Sequence, residues 1–145
     1  MSFEEKSNLA TLGALLLVFG AYFANLGLNA LGGQALPSAI PGLELGRVFI
    51  GLTIAFVIWL VVTHIILAGV FTKEADAGAD ERDRVIETRA DAGAGYVLGA
   101  GVITTLLLVI WDVSGFWIAH ALLGALVLSE AYKGISRALA YRLGD

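Results

Sequence analysis

An all-α, integral membrane four-helix bundle is the fold class this sequence predicts, and three observations predict it. Of its 145 residues, 58% are hydrophobic and 15% charged, with a mean hydropathy of +0.82. A soluble domain carries about half apolar and about a quarter charged residues. The charged residues leave four long stretches of the length, roughly 20 residues, that a helix needs to cross a hydrocarbon layer about 30 Å thick. Those stretches lack the polar stripe required of a helix that faces water on one side.

The same composition excludes several classes of function. So apolar a chain does not stay disordered in water. Nine Lys and Arg against thirteen Asp and Glu leave a net charge of -4, the wrong sign for direct nucleic-acid binding. With no cysteine there is no disulfide, thiolate metal site, iron–sulfur cluster or cysteine nucleophile, and two histidines are too few for a histidine-only metal site. G-x-S-x-G, P-loop and H-E-x-x-H patterns are absent. The expectation is a non-enzyme with no catalytic residue, cofactor or metal.

The first span is expected at about residues 9–30, inside the uncharged stretch between Lys6 and Glu44, with Asn25 and Asn29 toward its far end. Glu4 and Glu5 beside Lys6, and the length of the apolar run, argue against a cleavable signal peptide. The next stretch, Leu31 to Gly46, contains Pro37 and Pro41, is nearly uncharged, and is expected to lie in the headgroup region as a connector. Span two, at about 48–71, is the most hydrophobic, with Thr53, Thr63 and His64 as its polar side chains. Spans three and four, at about 94–111 and 116–132, are separated by the short link Asp112, Val113, Ser114 and Gly115, which forces an antiparallel hairpin. Spans one and two do not echo three and four, so the chain reads as a single four-span domain over 1–145 without internal repeat.

Lys and Arg set the expected orientation. With the N-terminus inside, Lys6, Lys73, Arg82, Arg84, Arg89, Lys133, Arg137 and Arg142 are cytoplasmic, and Arg47 alone is outside. Both termini and the middle loop are therefore expected on the cytoplasmic side of the inner membrane, with Trp111, Phe116 and Trp117 in the outer interfacial belt.

Gly95 and Gly99 stand one turn apart in span three, a spacing that lets two backbones approach closely in lipid. Gly20 with Ala24, and Ala121 with Ala125, offer matching small faces within the chain, and a homodimer seam is the alternative use.

Three ionisable side chains fall within the spans: His64, His120 and Glu130. His64 and Glu130 are expected at similar depth, while His120 lies about 6 Å from the outer end of its span. An offset of roughly 18 Å between the two imidazoles excludes a shared bis-histidine haem. A His64–Glu130 hydrogen bond is the arrangement that would relay protons, whereas an ion pair of Glu130 with Lys133 is the structural alternative. His120 is expected to anchor the interface beside the tryptophans and Asp112.

The polar stretch from Lys73 to Gly93 is centred on residues 80–91. Asp80 is placed to cap a helix whose first turn carries Glu81 and Asp83, favourable at the positive end of the helix dipole. Asp80 with Arg84, and Arg84 with Glu87, have the spacing of intrahelical ion pairs. Such a helix would run unbroken into span three and project two to three turns into the cytoplasm. Arg82, Arg84, Val85, Ile86, Glu87 and Arg89 are its candidate partner-binding residues.

The run Asp80, Glu81, Arg82, Asp83, then Glu87, Arg89 and Asp91, then Gly95 and Tyr96 opening a span, resembles a group of small, largely uncharacterised bacterial and archaeal four-helix membrane proteins. The likeness continues through Phe116, Trp117 and Ile118 to Lys133, Gly134 and Arg137, and covers roughly the second half of the chain. Members of that group are often encoded beside helix-turn-helix regulators. The resemblance thus implies a cytoplasmic DNA-binding protein as partner, and it brings no catalytic residues. The expected function is a membrane-embedded interaction or regulatory subunit presenting helix 80–91. The alternative is a small oligomeric transporter or proton-coupled channel using Glu130 and His64.

Overall fold

The computed structural model describes residues 3–32, 42–71 and 81–143. They form four long helices, α1 (Phe3–Leu31), α2 (Gly42–Val70), α3 (Glu81–Ile110) and α4 (Gly115–Leu143), each long and apolar enough to cross a membrane. Among the described residues there is no strand. Asp80 and the prolines of the first connector, and with them the expected cap, lie outside the described residues.

All four helices overrun the expected spans. At 1.5 Å per residue, the 30 residues of α3 measure about 45 Å, some 15 Å more than a hydrocarbon layer. The excess of α3 lies before Ala94 and that of α4 after Tyr132, so both project from the same end of the hairpin. Their connection is a tight helix stop. Val113 N–H donates to Leu108 O at 3.0 Å and Asp112 N–H to Val109 O at 3.1 Å, while Asp112 adopts φ 53°. This paired pattern satisfies the last carbonyls of α3, with an aspartate in the left-handed position that glycine usually fills. The Ser114 carbonyl then accepts from Trp117 and Ile118 and starts α4.

Packing runs in the order α2, α1, α4, α3, with α3 and α4 the most extensively joined pair. Ile86, Ala90 and Ala94 of α3 are buried at four-residue intervals along the face turned to α4, and Thr105, eleven residues further on, is buried as well. Gly93 lies against the Tyr132 ring, and Gly101 against the Ala125 methyl, where a side chain on either glycine would collide. Gly95 and Gly99 have nothing within 4 Å of where a Cβ would stand. The close approach within the chain therefore falls on Gly93 and Gly101. This corrects the expected intrachain seam at Gly95 and Gly99, because two residues of helix turn a side chain by about 200°.

The core sits where α1 meets α2 and α4. Leu15, Phe19 and Ala131 are buried there, with Leu12, Leu52, Phe56 and Val127 packed around them, and Phe19 meets Phe56 edge-on at 5.5 Å. A π-helical turn, Leu16–Gly20, interrupts α1 at this level and shifts the register of the residues that follow it. Helix α2 is the most peripheral, and no residue of its apolar span is buried. Ile50, Ile54, Ile58, Ile65 and Ile66 are all more than half exposed, a continuous apolar face that water would not tolerate.

The helices alternate in direction. Lys6 Nζ near the start of α1 sits 3.6 Å from the centre of the Phe71 ring just past the end of α2, and Asn8 Nδ2 of α1 donates to Gly134 O of α4 at 2.9 Å. The start of α1, the end of α2, the start of α3 and the end of α4 therefore share one end of the bundle. Trp111 and Trp117 lie toward the other.

Candidate functional site

The projecting halves of α3 and α4 are joined by a ladder of three rungs. Tyr141 OH donates to Asp83 Oδ1 at 2.9 Å, Arg137 Nη2 to Glu87 Oε1 at 2.5 Å, and Lys133 Nζ lies 2.6 Å from Asp91 Oδ1. Each rung is four residues from the next on both helices. This is the register of two antiparallel helices whose facing side chains recur once per turn. Arg137 also approaches Asp91 at 3.8 Å and is the least exposed member of the ladder's ion pairs, at 18%, with its Nε buried and without a hydrogen-bond partner. Burial, and the Asp83 carboxylate as hydrogen-bond acceptor and negative charge, push the Tyr141 hydroxyl well above the usual tyrosine range.

Of the expected docking residues, Ile86 is buried against α4, while Glu87 is bonded to Arg137 and remains about half exposed. Arg82, Arg84, Val85 and Arg89 are exposed. Beside the ladder the two helices flank an open groove of about 470 Å³. Its floor is Val85, Ile86 and Ala90, its rim on α3 carries Arg82 and Arg89, and its wall on α4 is Tyr132, Ser136 and Ala140. The basic end of α4 is thus folded back onto α3 through Lys133 and Arg137 rather than forming a separate tail.

Both histidines are held in one way. His64 Nδ1 donates to Leu60 O and His120 Nδ1 to Phe116 O, the carbonyls one turn earlier, at 2.8 and 2.6 Å. A carbonyl only accepts, so this pattern assigns the proton to Nδ1 and leaves Nε2 of the neutral ring as an acceptor. On each ring a hydroxyl of α1 occupies Nε2: Ser7 at 2.8 Å for His64 and Tyr22 at 2.7 Å for His120. Both ring nitrogens of His64 are therefore engaged without Glu130. His120 is 4% exposed among Tyr22, Phe49, Phe116 and Trp117.

Glu130 is exposed on α4, and the expected pair with Lys133 is replaced by the Lys133–Asp91 rung. It borders a small cleft of about 160 Å³ between α1 and α4 that also touches Glu4, Ser7, Thr11 and Arg137. Glu130 and the hydroxyl that binds His64 thus line one polar recess. Among the described residues no group of three or more His, Asp or Glu is placed to hold a metal ion.

Sequence reasoning missed Ser7, Asn8, Tyr22, Ser129 and Tyr141. Each supplies a hydroxyl or amide to a neighbouring helix; Ser129 Oγ, for instance, donates to Ala94 O at 2.9 Å. The available signal was the need of a buried imidazole for a partner, which hydroxyls on other apolar helices satisfy. No family model, curated protein or solved structure matches the chain.

Proposed function

We propose that this chain is a four-span protein of the cytoplasmic membrane, with both ends inside, whose α3–α4 arm docks a cytoplasmic protein. The observation that carries this reading is the three-rung ladder. It joins two helices along the stretch where they exceed the hydrocarbon layer by about 15 Å, so the arm is stiff before a partner arrives. Preorganisation of this kind lowers the ordering cost of binding. The excess of Lys and Arg at the end carrying the arm supports a cytoplasmic location, and the resemblance of the second half of the chain supports a helix-turn-helix regulator as partner.

The absence of native cysteine makes the topology directly testable. In intact cells an impermeant thiol reagent should label Arg47→Cys and spare Arg84→Cys; the reverse pattern would end the reading. For docking, a photo-crosslinking residue at Val85 in native membranes should capture a soluble protein, and charge reversal at Arg84 and Arg89 should abolish the adduct. An adduct that survives reversal removes the arm from the function.

A second reading, proton-coupled transport by an oligomer, is supported by the recess that Glu130 shares with Ser7, the partner of His64. It requires proton flux in proteoliposomes that Glu130→Gln abolishes. A silent wild type rejects it.

A further inference from the structure

We infer that Ser7 and His64 form a serine–histidine pair that hydrolyses short, neutral acyl esters in the recess between α1 and α4. The inference goes beyond the docking reading and does not depend on it.

Three observations carry it. Ser7 Oγ lies 2.8 Å from His64 Nε2, and His64 Nδ1 donates to Leu60 O at 2.8 Å. A hydroxyl within hydrogen-bond reach of a base, with the base oriented by a third group, is the arrangement that activates a nucleophile. The two residues stand 57 apart in the chain and so leave no local sequence pattern. Next, Ser7 borders the recess of about 160 Å³, whereas His64 is not part of its lining. The hydroxyl is thus open to a carbonyl while the base keeps its place. Tyr22 and His120 repeat the hydrogen-bond pattern, but His120 is sealed among aromatic rings and no substrate reaches it. Last, the recess holds further donors. Asn8 Nδ2 gives one of its two hydrogens to Gly134 O, and the Thr11 hydroxyl lies one turn deeper than Ser7 on α1. Donors beside a nucleophile stabilise the oxyanion that forms on the carbonyl.

The lining selects the substrate. Leu12, Leu15 and Phe56 give an apolar floor for the acyl group, and the volume admits a short one. Lys133 and Arg137 are engaged by Asp91 and Glu87, which leaves Glu4 and Glu130 to set the charge of the recess. Two carboxylates disfavour anionic esters and expel the carboxylate product. Ser7 stands two residues before the start of span one, about 3 Å to the aqueous side, so water reaches the site.

The reaction balances without a cofactor. Ser7 Oγ bonds to the acyl carbon as its proton passes to His64 Nε2. The carbon–oxygen bond to the alcohol then breaks, and His64 returns that proton to the leaving oxygen. A recess water attacks acyl-Ser7 by the same route, giving its proton through His64 to Ser7 Oγ and releasing the acid. Ester and water become acid and alcohol.

The test uses the full chain in nanodiscs, a short-chain alkyl fluorophosphonate as covalent probe and 4-methylumbelliferyl acetate as ester. Peptide mass spectrometry should place the phosphonyl adduct on Ser7, and Ser7→Ala should lose both the adduct and ester turnover. His64→Ala should slow labelling roughly a hundredfold or more. Added imidazole should restore much of that rate, a rescue that misfolding does not produce. Tyr22→Phe, which breaks the sealed pair, should label at the wild-type rate. A wild-type protein that stays unmodified overturns the inference. So does an adduct on any residue other than Ser7, or equal labelling rates in wild type and His64→Ala.

Discussion

The Tyr22 hydroxyl on α1 lies 2.7 Å from His120 Nε2 on α4, and the two rings are within 9° of parallel with centroids 5.8 Å apart. Together with Ser7 and His64 near the opposite end, this contact makes α1 the helix that ties the bundle. Ser7 and Tyr22 are separated by about 22 Å of helix, with the π turn between them. One hydroxyl holds α2 and the other holds α4.

Tyr22→Phe should lower stability by about 1 kcal/mol, near the middle of the range for interhelical hydrogen bonds in membranes. It keeps the ring and leaves a buried imidazole nitrogen unpaired. A double-mutant cycle with His120→Phe, read as unfolding in detergent, should give a coupling of the same sign and size. A coupling near zero would show that the ring contacts, not the hydrogen bond, hold α1 to α4. Ser7→Ala should cost less, because His64 is only half-buried.

The glycines of α3 should separate cleanly into two groups. Gly101→Ala places a methyl against Ala125, which has no flexible side chain to withdraw, and should cost about 1 to 3 kcal/mol. Gly93→Ala meets the Tyr132 ring, which can swing away, so its cost should be smaller. Gly95→Ala and Gly99→Ala face open space and should be neutral, or stabilise by up to about 1 kcal/mol through helix propensity. If either of these two instead destabilises the purified protein in a concentration-dependent way, that face belongs to a homodimer seam.

These glycines also show why sequence told part of the fold and little of the site. Spans were readable because crossing hydrocarbon is a property of length and composition, and the overrun of α3 was readable from the acidic start at Glu81 and Asp83. Which face of α3 meets α4 is a question of angle. Gly95-x-x-x-Gly99 and the row Ile86, Ala90, Ala94 both repeat every four residues, and spacing alone does not rank them. The ladder was missed for a related reason. Glu87 and Asp91 have cationic neighbours in their own helix, yet the antiparallel register places Arg137 and Lys133 closer. Glu130 and His64 were matched by depth, and depth says nothing of which hydroxyl reaches an imidazole first.

Arg137 is the member of the ladder whose loss should loosen the arm most, since it alone meets both Glu87 and Asp91 and is the more buried of the two cations in the ion pairs. Arg137→Gln should raise amide hydrogen exchange over residues 81–91 while leaving 97–110 protected. The global loss should be only about 1 kcal/mol, because both acidic partners are roughly half exposed and screened by solvent. Arg137→Lys should restore little, as an ammonium lacks the fork that reaches two carboxylates at once. Uniform exchange along α3 in both variants would show that the ladder does not stiffen the arm.

Tyr141 gives the arm a dependence on alkaline pH. Its hydroxyl is held above the ordinary tyrosine range, first by burial and then by the Asp83 carboxylate it donates to. The folded arm therefore binds this proton more tightly than the unfolded chain does. The resulting stability is fully present below the unfolded value of about 10 and is lost as pH rises from there toward the higher folded value. Ultraviolet titration should show a late-ionising tyrosine component, and Tyr141→Phe should diminish it. The melting temperature above pH of about 10 should fall less steeply in Tyr141→Phe than in wild type. Identical slopes in the two proteins would show that the Tyr141–Asp83 rung does not contribute to folding.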